Sequence, residues 1–68
     1  MNAEAIGATL RQLREKKGKT LQEVANDLEI DVSTLSCYET GKRIPKDDIK
    51  RKLAEYYKRS ISGIFFAD

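Results

Sequence analysis

Histidine and tryptophan are absent from this 68-residue chain, and cysteine, proline and methionine occur once each. Without histidine the commonest general base and the commonest metal ligand are missing. A lone cysteine, Cys37, excludes an intramolecular disulfide, and no partner for activating its thiol stands out in the sequence. Long apolar runs are missing too. The longest is Ile64-Phe65-Phe66-Ala67, far below a membrane span. Strand-type alternation, internal repeats and low-complexity segments are likewise lacking. Asp47 and Asp48 are adjacent acids, but they follow Pro45 and read as a helix start, not a catalytic pair. The expectation is a protein that is not an enzyme, binds no metal or cofactor and does not enter a membrane. With no secretory segment in the sequence, the cytoplasm is the expected compartment.

Length predicts one domain over residues 1–68. Such a chain buries only about 60% of its unfolded surface, so its core must be compact. Net charge is +2, but its distribution says more. Residues 20–41 hold no Lys or Arg and five acids: Glu23, Asp27, Glu29, Asp31 and Glu39. All thirteen cations lie in the flanks against six acids, a flank balance of +7. One cluster is Arg11, Arg14, Lys16, Lys17 and Lys19; the other is Lys42, Arg43, Lys46, Lys50, Arg51 and Lys52. This pattern suits a polyanion gripped from both sides of an acidic centre.

Apolar spacing is helical throughout. Ile6, Leu10 and Leu13 give helix one over residues 3–17, stopped by Gly18 after a Lys16-Lys17 pair suited to a helix C-terminus. Thr20 and Glu23 form a capping box for helix two, whose stripe is Leu21, Val24, Ala25 and Leu28. Ala25 is the small residue needed where another helix crosses closely. Asp31 caps helix three, which carries Leu35 and Tyr38 and ends near Thr40-Gly41. Pro45 keeps the next connection extended. Helix four starts near Lys46 or Asp47, with Ile49, Leu53 and Tyr56/Tyr57 on its apolar side. Ser60 caps a short last helix bearing Ile61, Ile64 and Phe65. The predicted fold is all-α: five short helices with a helix-turn-helix over about residues 20–41. In a small basic chain that motif most often reads DNA.

The spacing of Leu10, Leu13-Arg14, Gly18, Thr20, Glu23-Val24-Ala25, Leu28, Ile30, Leu35, Tyr38-Glu39, Gly41-Lys42, Pro45, Leu53-Ala54 and Ile64 resembles the phage repressor and Cro-like (Xre-type) helix-turn-helix family. The resemblance spans about residues 6–66 and implies a compact lambda-repressor-like domain. It implies that residues 32–40 form a recognition helix in the major groove, that phosphates meet the start of helix two and the loop after Gly41, and that Arg14 and Glu39 form a partly buried ion pair. Four features depart from the family pattern. Glu29 stands where the turn usually has glycine, which in a left-handed conformation costs on the order of 1 kcal/mol. Leu21 stands where glutamine is frequent. Val32, Cys37 and Thr40 occupy positions that are often basic. Asp47 and Lys50 occupy usually apolar positions of helix four.

On helix three, Val32, Ser33, Ser36 and Cys37 are the expected base contacts: hydroxyls bond base edges, and Val32 suits a thymine methyl. Lys19, Gln22, Thr40, Lys42, Arg43 and Lys46 are the expected phosphate contacts. Ile61, Ile64, Phe65 and Phe66 are the expected dimer contact, because two adjacent phenylalanines cannot both enter one small core. The expected partner is double-stranded DNA, bound by a homodimer, with a toxin or antirepressor as a further protein partner. The alternative is a protein-binding adaptor or antitoxin-type module, favoured by the uncharged recognition helix and opposed by the basic flanks.

Overall fold

A computed structural model describes residues 2–66. The helices are α1 (Ala3–Lys17), α2 (Leu21–Leu28), α3 (Val32–Glu39), α4 (Asp47–Tyr57) and α5 (Ile61–Phe65), with no strand among the described residues. No helix among them is long and apolar enough to cross a membrane.

Each boundary has a local cause. The Asn2 side chain accepts the Ala5 N–H at 2.7 Å and starts α1. Thr20 and Glu23 complete a reciprocal capping box at α2. Asp31 and Ser60 cap α3 and α5 through their side chains. The ends of α1, α2 and α4 share one device. A residue turns left-handed, at Gly18, Glu29 and Lys58, and two N–H groups close back on the last carbonyls. Only the first is glycine, so Glu29 (φ 58°) and Lys58 (φ 56°) hold a conformation disfavoured for side-chain-bearing residues. The third helix ends at Glu39, with Thr40 as its C-cap, one residue short of the sequence expectation.

The core draws on all the helices. Leu10, Val24, Ala25, Leu35 and Leu53 are wholly buried, and Ile64 and Phe65 close it from α5. Helix α1 packs on α3 and α5, while α2 packs on α3 and α4. One close approach sets the α1–α3 crossing: a Cβ on Gly7 would overlap the Tyr38 and Glu39 carbonyl oxygens. Lys50, at its unusual position on α4, has its ammonium 5.7 Å from the Phe65 ring and 5.2 Å from the Phe66 ring.

The four-residue dimer contact expected from the last helix requires correction. Ile64 and Phe65 are 1% and 2% exposed, because α5 packs on α4 and α1 and seats both side chains in the core. Ile61 packs partly against that core, and Phe66, at 63% exposed, is the large apolar surface that α5 leaves outside.

Candidate nucleic-acid interface

The sequence from Leu21 to Glu39 builds two eight-residue helices joined by Glu29, Ile30 and Asp31. The turn is fixed by the left-handed Glu29, by Ile30 N–H bonding the Ala25 carbonyl at 3.0 Å, and by the Asp31 cap. Buried Val24, Ala25 and Leu28 face buried Leu35 and Tyr38, which leaves the other side of α3 outward. That side presents exposed Ser33 and Thr40, with Ser36 and Cys37 half-buried, whereas Val32, expected to touch a base, is half-buried and packs partly against the core. The Ser33 hydroxyl bonds the Asp31 carboxylate. The Thr40 hydroxyl donates to the Ser36 carbonyl at 2.9 Å.

The loop after α3 is pinned to it by backbone. Lys42 and Arg43 N–H groups both donate to the Cys37 carbonyl, at 2.9 and 3.2 Å. Gly41 makes this bend at φ 79°, with its Cα side only about one contact distance from Glu4: a Cβ there would sit 3.0 Å from Glu4 Cα. Lys42, Arg43 and Lys46 are exposed, and none pairs with an acid among the described residues. Lys42 and Arg43 therefore form a basic edge fixed relative to α3, and Lys46 follows at the N-cap of α4.

Lys19 and Gln22 stand beside the start of α2. Lys19 Nζ pairs with Asp27 at 3.0 Å, and Gln22 Nε2 donates to Asn26 Oδ1 at 2.9 Å. Asp27 also accepts the Tyr56 hydroxyl at 2.6 Å, a clasp between α2 and α4. That hydrogen bond first, then Lys19, holds the Asp27 carboxyl below its usual range. The bond to Asp27 in turn raises the Lys19 pKa. Glu23 is likewise lowered, by the Thr20 N–H of the capping box.

Arg14 and Glu39 meet as an ion pair beneath this surface, Nε to Oε2 at 2.9 Å. Arg14 Nη1 also donates to the Lys19 carbonyl at 2.9 Å. One guanidinium thus ties α1 to the end of α3 and to the residue preceding the α2 cap. The hydrogen bond to Glu39 raises the Arg14 pKa further above its ordinary value. The Asp27–Tyr56 clasp and the Arg14–Lys19 bond were not foreseen. Tyr56 lies 29 residues from Asp27, and no periodicity relates them.

Two helices crossing over a small residue behind a fixed turn, with one outward polar helix, define a helix-turn-helix. Residues 5–62 match the family model described as Helix-turn-helix domain, and the chain belongs to that family. It is similar to the solved structure of the clp gene regulator ClgR from C. glutamicum, with 28% identity and a TM-score of 0.81. The match covers 94% of this chain and 83% of that one. No curated protein matches the sequence.

Proposed function

We propose that the chain is a sequence-specific DNA-binding transcriptional regulator of the phage repressor or Cro-like (Xre-type) kind. The observation that carries this reading is the pinned basic edge. Lys42 and Arg43 are locked by backbone to the carbonyl of Cys37, so phosphates held there fix the register of α3 in the major groove. Val32, Ser33, Ser36 and Cys37 then meet base edges. Lys19, Gln22 and Thr40 join Lys42, Arg43 and Lys46 on the backbone. The likeness to a clp gene regulator supports a regulatory role. A mobile-element repressor or switch protein is the role that this reading fits. Two copies meeting through Phe66 and Ile61 would place two α3 helices on a near-palindromic operator.

Selection of bound sequences from random duplex DNA, at low and at moderate salt, tests the reading. A recurring motif with two related half-sites is the expected result. The second reading, an adaptor that keeps the fold for protein binding, is favoured by the exposed acids Glu29 and Asp31 beside an α3 that carries no cation. Recovery of random sequence alone, or of nothing, selects that reading.

A further inference from the structure

The C-terminal half of α1 and the corner between α4 and α5 enclose two adjoining hollows of about 250 and 220 Å³, which share Leu13, Lys16 and Arg59. Their rim carries Lys16, Lys17, Lys58 and Arg59, and no acid lines either hollow. None of these cations pairs with a carboxylate among the described residues. Two helix C-termini, those of α1 and α4, point their negative ends here, but each supplies only about half a charge, so the rim stays strongly positive. The interior is more apolar: half-buried Leu13 and buried Ile64 and Tyr57 line it, with Thr9 and Gln12 at one end and the Tyr56 ring under Lys17 at the other. Lys58 adds a further sign. It occupies the left-handed cap of α4, where glycine would be less strained, and thereby keeps a cation on the rim.

Duplex phosphates seek exposed cations on a convex edge and gain nothing from an apolar floor. A hollow ringed by cations and floored by Leu13 suits a chain with carboxylates on either side of an apolar side chain. Roughly 150 Å³ already accommodates a benzene ring, so each hollow admits one such side chain. We infer that this groove docks an acidic segment of a partner protein, with an apolar anchor seated between its carboxylates. The inference stands on charge and shape at this face and does not rest on the DNA reading.

The test is fluorescence anisotropy of the full chain with a labelled short peptide, one leucine flanked on both sides by glutamates. Saturable binding is expected, weakened at least tenfold in the Lys16→Glu/Arg59→Glu variant and by serine in place of the peptide's leucine. Lys42→Ala/Arg43→Ala should leave it unchanged. Lys58→Gly should weaken binding two- to threefold without lowering the melting temperature, which separates the effect from misfolding. Four results would overturn the inference: no saturable binding, equal binding by the charge-reversed variant, equal binding of the serine peptide, or loss of duplex affinity in Lys16→Ala/Arg59→Ala as large as in Lys42→Ala/Arg43→Ala. The last would assign this face to DNA.

Discussion

Arg14 Nε lies 2.9 Å from Glu39 Oε2, with side chains only 14% and 5% exposed, and the pair fastens α1 to the end of α3. Removing one partner strands the other charge, so Glu39→Ala should cost about 3 kcal/mol in urea denaturation. Replacing both by apolar residues of similar volume should cost less than either single change, because no unpaired charge remains. A full double-mutant cycle measures this. An unchanged midpoint for Glu39→Ala would contradict the buried pair.

Gly7→Ala offers a sharper test, because helix propensity and packing disagree about its sign. In an open helix the change gains about 1 kcal/mol. Here the added methyl meets the backbone carbonyls of Tyr38 and Glu39, which cannot swing aside like a side chain. Overpacking on the order of 1–3 kcal/mol should therefore win. Thermal melts of Gly7→Ala beside Ala8→Gly decide it: a stabilised Gly7→Ala would mean that α1 and α3 do not cross this closely.

Tyr57 should govern stability at high pH. Burial first, and then the charge of Glu39, pushes its phenol well above the usual tyrosine value. The folded state therefore keeps the proton longer than the unfolded one. The associated stability is complete below the unfolded value of about 10 and is lost as pH rises beyond it. Tyr57→Phe should flatten this alkaline decline. Its hydroxyl is buried with no hydrogen-bond partner among the described residues, so the same variant should not lose stability at pH 7. A parallel alkaline decline in wild type and variant would refute the assignment.

Phe65 and Phe66 should fail in different ways. Phe65→Ala empties a core position and should cost about 3–5 kcal/mol. Phe66→Ala should leave the fold intact and, if Phe66 joins two copies, shift sedimentation toward monomer. A wild-type chain that sediments as monomer at high concentration, with and without DNA, would remove the dimer from the account.

Four helix ends were legible because each rests on residues close in sequence: Thr20 with Glu23, Asp31 with Ser33, Ser60 with Gly63, and Gly18 at its turn; the Asn2 cap of α1 and the left-handed Lys58 that ends α4 were not. The Arg14–Glu39 contact was reached through the family resemblance, since residues 25 apart declare no local pattern. What stayed hidden depends on where distant helices come to lie. Gly7 looks like a weak helix residue until α3 is laid across it. Asp27 looks like a free surface acid until α4 brings Tyr56 to it. The choice between Phe65 and Phe66 turns on how α5 is rotated against α4, which the apolar pattern of five residues does not set.

In the proposed division of labour, α3 selects bases and the basic residues that follow it hold phosphate. Its most direct test is the salt dependence of duplex affinity, measured for wild type and variants on selected and on random sequence. Lys42→Ala, Arg43→Ala and Lys46→Ala should each weaken both duplexes alike and lower the slope of log affinity against log salt by about one. Ser33→Ala and Ser36→Ala should reduce preference for the selected duplex and leave that slope unchanged. A wild-type chain that binds neither duplex at low salt, or an edge variant that alters base preference with its slope intact, would contradict the account.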